Sequence, residues 1–110
     1  MDESKEKPAQ PDLAAALDRL WARFLPEIRE RIAVIDAAGQ ALAAGSLSPG
    51  QKEAAASAAH KLAGVLGTFS LARGTELARE LELRFSDSPG PADRLASIAA
   101  ELRALVDGRK

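Results

Sequence analysis

One histidine, His60, stands in a segment that otherwise has the composition of a strong helix: residues 60–69 read His-Lys-Leu-Ala-Gly-Val-Leu-Gly-Thr-Phe. Near neutral pH an imidazole is largely uncharged and nucleophilic without an adjacent base, so His60 is a candidate nucleophile. Gly64 and Gly67 each cost about 1 kcal/mol relative to alanine in a helix interior. The chain is otherwise rich in alanine, so the two glycines indicate that a partner must approach the His60 ring closely.

The composition excludes several other kinds of site. With no cysteine and one histidine in 110 residues, neither a thiolate zinc site nor a multi-histidine metal site can form within one chain. The net charge of −1, with interspersed signs, leaves no basic face for nucleic acid or anionic lipid. No apolar leader and no run near the roughly 18 apolar residues of a membrane span occur, which predicts a soluble cytoplasmic protein.

Apolar residues recur at helical spacing from Leu13 onward, and strand-like alternation does not occur. The charged segment 1–11 contains two prolines and predicts a disordered tail, which leaves 12–107 as one globular domain. Pro26 predicts a break just before it, since its ring clashes with the preceding helical turn, and it would open a second helix. Gly45 is the predicted end of that second helix.

The helix that carries His60 has the clearest start signal in the chain. Ser48 and Gln51 have the spacing of a capping box, and Pro49 stands at the first helical position. This helix is predicted to run to about Phe69, and Ser70 is predicted to cap the next helix.

Two more amphipathic helices are predicted on either side of the turn at residues 86–91, Ser-Asp-Ser-Pro-Gly-Pro. The connections are short, so neighbouring helices should run antiparallel. The sequence therefore predicts an all-α fold, an antiparallel up-down four-helix bundle with an additional N-terminal helix before Pro26.

The helical period turns His60 away from the core. At about 100° per residue, one arc of its helix is wholly apolar. Its members are Ala55, Ala58, Ala59, Leu62, Val65, Leu66 and Phe69. His60 lies on roughly the opposite side, together with Ser57, Gly64 and Gly67. We expect the imidazole to be reachable from solvent across a notch, the surface of this helix around Gly64 that carries no side chain.

A longer motif surrounds the histidine. Residues 60–64 read His-Lys-Leu-Ala-Gly, residues 65–71 Val-Leu-Gly-Thr-Phe-Ser-Leu, and residues 77–82 Leu-Ala-Arg-Glu-Leu-Glu. This motif resembles the signature of histidine phosphotransfer (Hpt) domains. There an aliphatic residue follows the histidine by two, a glycine follows it by four, and a leucine-glutamate pair closes the motif in the next helix. The resemblance covers about residues 12–107.

The resemblance implies a phosphorelay in which His60 accepts a phosphoryl group from a phospho-aspartate on a response-regulator receiver domain and passes it to another receiver. It implies as partners a receiver domain and a hybrid sensor histidine kinase, with no nucleic acid and no membrane. The chain would then be a monomeric phosphocarrier without autonomous catalytic activity. It would hold no cofactor of its own, and Mg²⁺ would belong to the receiver. The residues expected to contact the phosphoryl group or the receiver are Ser57, Lys61, Ala63, Gly64 and Gly67.

Two positions depart from the family pattern. Ala63 stands where a basic residue is often found, and Ser70 stands where the small residue is commonly glycine. The first departure leaves open how a phosphoryl group on His60 is neutralised. Lys61 is one candidate, although it lies about 100° round the helix from the ring.

Two alternative functions compete with phosphotransfer. The dimerisation segment of a histidine kinase also carries a histidine on a helical bundle, but its signature has an acidic residue just after the histidine and a proline five after it. Here those positions are Lys61 and Val65, and no nucleotide-binding glycine pattern is present. The second alternative is a phosphorylation-inactive bundle that binds receiver or kinase domains as an adaptor.

Overall fold

The four helices follow one another with short connections in a computed structural model that describes the backbone of residues 3–109 and the side chains of residues 12–109. Their bounds are α1 Glu3–Ala43, α2 Pro49–Thr68, α3 Ala72–Ser86 and α4 Ala92–Gly108. No strand occurs among the described residues. Each helix packs against two others, in the order α1, α2, α3, α4 and back to α1, and the α2–α3 interface is the most extensive. The predicted all-α bundle is confirmed.

Apolar side chains from all four helices fill the core, and no polar side chain among the described residues is buried. Its largest fully buried members are Ile28, Leu62, Leu66, Leu77, Leu81, Phe85, Leu95, Ile98, Leu102 and Val106. At one end, Trp21 of α1 meets Phe69, which follows α2, edge to face, with ring centroids 5.1 Å apart. This contact joins the early part of α1 to the end of the helix that carries His60.

The predicted break at Pro26 is wrong, because α1 continues through it from Glu3 to Ala43. The additional N-terminal helix expected before Pro26 is the first part of α1. Trp21 is 5% exposed and Ile28 is fully buried, so both sides of the proline are held against the core. Pro26 and Ala22 are exposed, so water can satisfy the Ala22 carbonyl that loses its helical donor. Tertiary packing offsets the cost of the proline here.

The domain limits expected from the sequence, a disordered tail at 1–11 and a domain at 12–107, stay a prediction. Met1, Asp2 and the side chains of residues 3–11 lie outside the described residues.

The predicted start of α2 and the predicted end of the helix before it are both confirmed. Ser48 accepts a hydrogen bond from the Gln51 backbone, and the Gln51 side chain accepts one from the Ser48 backbone, which completes the capping box. Gly45 has a left-handed φ of +73°, and its N–H donates to the Leu42 carbonyl, which ends α1 as predicted.

Ser70 does not cap α3, contrary to the prediction. Its φ is +61°, its N–H donates to the Gly67 carbonyl at 3.1 Å, and the Leu71 N–H donates to Leu66 at 3.0 Å. Those two bonds form the Schellman motif that ends α2, so Ser70 belongs to the preceding helix. The N-cap of α3 is Leu71, which makes no side-chain cap. Ser70 thus occupies a left-handed position that glycine adopts without steric cost, which explains why a glycine suits this place.

A Pro26→Ala substitution tests the continuous helix. Proline inside a helix costs about 3 kcal/mol relative to alanine, and its loss also frees the unfolded chain by somewhat less than 1 kcal/mol. We expect the free energy of unfolding to rise by about 2 kcal/mol in urea denaturation. No change, or a loss of stability, would show that Pro26 starts a separate helix, where proline is favourable.

Candidate functional site

His60 projects into solvent from the middle of α2, with 71% of its side chain exposed. The apolar arc predicted for α2 explains this orientation. Its members are buried except for Val65, which is half-buried, and the ring lies on the opposite side of the helix. The predicted exposure of the imidazole is confirmed.

One hydrogen bond fixes the ring. His60 Nδ1 lies 2.9 Å from Oε2 of Glu82, a half-buried residue of α3. A carboxylate only accepts hydrogen bonds, so Nδ1 carries the proton and donates it. In the neutral ring this leaves the lone pair on Nε2, and no other hydrogen bond to the ring occurs among the described residues. The arrangement presents one defined nucleophilic nitrogen to solvent.

The glycines around His60 differ in what they leave open. A Cβ added at Gly64 would meet nothing within 4 Å, so the notch predicted from the sequence is confirmed. A Cβ added at Gly67 would meet Thr75 Oγ1 of α3 at 3.6 Å, an ordinary contact distance. Gly64 therefore opens the surface beside the ring, whereas Gly67 lies where α3 approaches α2.

Ala63 cannot contact a receiver, contrary to the expectation, because it is 3% exposed. Ala63 follows His60 by three residues, so its side chain is rotated by about 60° around the helix axis from that of His60, toward the core. Its carbonyl accepts a hydrogen bond from Thr75 Oγ1 of α3 at 3.3 Å. Ala63 is thus part of the α2–α3 interface, and it holds the two helices together there.

Lys61 and Ser57 are exposed, as predicted. Neither side chain makes an ion pair or a hydrogen bond among the described residues, so both are available to a partner.

Glu82 is the residue that the sequence interpretation of the site omitted. It belonged to the leucine-glutamate pair that closed the motif, but its contact with His60 depends on the register of two helices across 22 residues. Leu81, its neighbour, is fully buried, which turns Glu82 to the edge of the core beside α2. The spacing of either helix alone does not reveal this contact.

The electrostatic perturbations in the described residues lie on the α4 side of α3. Arg73 hydrogen-bonds Glu101 of α4 at 2.8 Å, and this bond together with one to Glu76 raises the pKa of its guanidinium above the usual range. The same bond from Arg73 lowers the pKa of the Glu101 carboxyl. These contacts connect α3 to α4 and involve no atom of His60.

No group of three or more metal-ligating side chains occurs within residues 12–109. In the same part of the chain, every helix is too short or too polar to cross a lipid bilayer.

Comparison with known proteins places these features in a family. The family model described as the Hpt domain matches residues 19–108. A segment of 74 residues, 67% of the chain, is 34% identical to Protein RcaC of Microchaete diplosiphon. The chain spans 11% of the length of that protein. No solved structure gives a significant match.

The exposure of the ring predicts a small effect of its removal on stability. His60→Ala deletes a surface side chain and one exposed hydrogen bond, so the free energy of unfolding should change by no more than about 0.5 kcal/mol. Urea denaturation of the two proteins measures the difference. A loss of several kcal/mol would contradict the exposed placement of the imidazole.

Proposed function

Because the chain belongs to the histidine phosphotransfer (Hpt) domain family, we propose that His60 Nε2 is the atom that accepts and hands on the phosphoryl group in a two-component phosphorelay. The observation that carries the proposal is the single exposed imidazole with Nδ1 held by Glu82 and Nε2 free. Gly64 lets the donor approach, since nothing occupies the space beside it.

The transfer exchanges one bond to phosphorus for another. The Nε2 lone pair attacks the phosphorus of an acyl phosphate, the phospho-aspartate of a receiver domain. The N–P bond forms while the P–O bond to the aspartyl carboxylate breaks, and the carboxylate leaves with the electron pair. The ring keeps its Nδ1 proton and becomes positively charged. In the onward step, a carboxylate of another receiver attacks phosphorus and the electron pair returns to Nε2.

Glu82 assists in two ways. As an acceptor at 2.9 Å, it keeps the proton on Nδ1 and so keeps the attacking electron pair on Nε2. Its negative charge also faces the ring as the ring becomes positive, which favours the transition state over the neutral starting state. Glu82 acts through the imidazole and is a positioning residue.

The proposed role is that of a carrier. Phosphoryl transfer is catalysed mainly by positioning and by neutralisation of charge on the transferred group. Among the described residues one carboxylate, that of Glu82, hydrogen-bonds the ring, and the surface at Gly64 is open. The divalent cation and the acidic groups that bind it would come from the receiver. The partners proposed for this chain are therefore a receiver domain and the hybrid sensor kinase that supplies it.

Transfer from a labelled receiver tests the proposal. A purified receiver domain is charged with ³²P-acetyl phosphate, freed from the donor and mixed with the chain. We expect label on the wild type that is lost in acid, as phosphohistidine is, and none on His60→Ala.

Binding of the receiver without label on the wild type, across a panel of receivers, would contradict the proposal and would favour the adaptor function. Label that persists on His60→Ala would assign the acceptor role to another residue.

The role of Glu82 is tested by a pair of variants. Glu82→Gln keeps an acceptor oxygen beside Nδ1 and should slow single-turnover transfer by no more than several-fold. Glu82→Leu removes the acceptor and should slow it by roughly tenfold to a hundredfold, the range seen when the partner that orients a metal-binding histidine is lost.

Nitrogen NMR of the ring supplies the control, because it reports which nitrogen carries the proton. The Nδ1-protonated form should persist in Glu82→Gln and decline in Glu82→Leu. An unchanged tautomer in Glu82→Leu would contradict the positioning role, whatever the rate.

A further inference from the structure

A phosphoryl group on His60 brings a negative charge of between about one and a half and two to the surface of α2. The position where the family often has a basic residue is Ala63, which is buried and carries no charge. This leaves the question of which cation faces the phosphoryl oxygens. The inference that follows rests on the proposed function.

The register of α2 against α3 places Arg79 near His60. Glu82 of α3 contacts His60 at 2.9 Å, and Thr75 of α3 would lie 3.6 Å from a Cβ added at Gly67. Arg79 is four residues after Thr75 and three before Glu82, so the three residues lie along one face of α3. Arg79 therefore lies beside the stretch of α2 between His60 and Gly67, at the level of Ala63.

Arg79 is also available, because neither carboxylate near it on α3 is free. Glu76, three residues before it, pairs with Arg73 at 3.1 Å, and Glu82, three residues after it, binds His60. The other arginines of α3 and α4 described by the structure are all paired with carboxylates. Arg79 is exposed and makes no ion pair or hydrogen bond within the described residues.

Lys61, the other cation near the ring, lies on a different side of α2. The Lys61 side chain is rotated by about 100° around the α2 axis from that of His60. Ala63 and Gly67, which contact α3, are rotated from His60 in the opposite direction. Lys61 therefore points away from α3. A guanidinium also matches a phosphoryl group better than an ammonium does, because its planar fork donates two parallel hydrogen bonds.

We propose that Arg79 reaches from α3 over the surface of α2 beside His60 and donates hydrogen bonds to the phosphoryl oxygens carried by His60 Nε2. It thereby supplies from α3 the charge that Ala63 does not supply from α2. No bond to Arg79 forms or breaks, and its guanidinium stays protonated throughout.

Phosphoramidate tests this inference without a receiver. In this reaction the N–P bond to Nε2 forms as the P–N bond of the donor breaks, and ammonia leaves with the electron pair and a proton from solvent. The variants are Arg79→Gln and Arg79→Lys, with Lys61→Gln for the competing cation. Arg29→Gln is the matched control, because its exposed guanidinium pairs with Asp107 of α4, on the side of the bundle away from α2 and α3.

Phosphorus NMR follows both the rate of labelling and the pKa of the attached phosphoryl group. A hydrogen-bonded guanidinium, with its charge about 4 Å away in water, lowers that pKa by roughly three quarters of a unit, so Arg79→Gln should raise it by that amount. Labelling should slow by about fivefold to tenfold, less than for a buried donor because the site is solvated. Arg79→Lys should restore most of both values, and Arg29→Gln should match the wild type.

Three results would overturn the assignment. They are a phosphoryl pKa in Arg79→Gln equal to that of the wild type, an equal effect in Arg29→Gln, and a shift found in Lys61→Gln alone. Each of these results is compatible with transfer from a receiver to His60. They would therefore contradict the role of Arg79 without contradicting the proposed function. A wild type that phosphoramidate labels on His60 but that no receiver labels would instead contradict the proposed function.

Discussion

The register between α2 and α3 is the constraint on which the rest of the site depends. Two contacts fix it. Gly74 of α3 lies so close to α2 that an added Cβ would be 3.0 Å from Leu66 Cδ1, and Thr75 donates a hydrogen bond to the Ala63 carbonyl. A sliding of one helix past the other by one residue would separate Glu82 from His60. The apolar core holds the helices together, and the close approach of Gly74 to Leu66, itself a core residue, is the part of the core that fixes this alignment.

The features that depend on a single helix are the ones that the sequence predicts well. The capping box at Ser48, the left-handed Gly45 and the exposed side of α2 that bears His60 all follow from local chemistry or from the helical period. The notch at Gly64 belongs with them, because an absent side chain on an exposed face requires no knowledge of the neighbours.

Most of the features that the sequence misses depend on how helices meet, and the local exception is Ser70, whose left-handed conformation ends α2 where a cap for α3 was predicted. Pro26 carries a local signal for a break, yet packing of Trp21 and Ile28 on both sides outweighs it. Ala63 shares a helix with His60, but whether it faces a partner or α3 is decided by where α3 lies. Glu82 reaches His60 across 22 residues, a distance in sequence that no periodicity spans. Each of these outcomes is a balance between local preference and tertiary contact.

The surface at His60 explains how a small helix bundle suits phosphoryl transfer. The chemistry needs a nucleophile with a defined free nitrogen, an open approach and compensating charge, and it needs little else from the carrier. The His60–Glu82 hydrogen bond at 2.9 Å defines the free nitrogen, and the bare surface at Gly64 leaves the approach open.

Each helix of the bundle packs against two others, and this has an evolutionary consequence. The residues that act on the histidine lie on α2 and α3, which adjoin each other, whereas α1 and α4 cover the opposite side of the core with apolar side chains. Substitutions on the outer surfaces of α1 and α4 can accumulate without disturbing the reactive nitrogen. One helical hairpin can therefore keep its chemistry while the outer surfaces of the other two helices change.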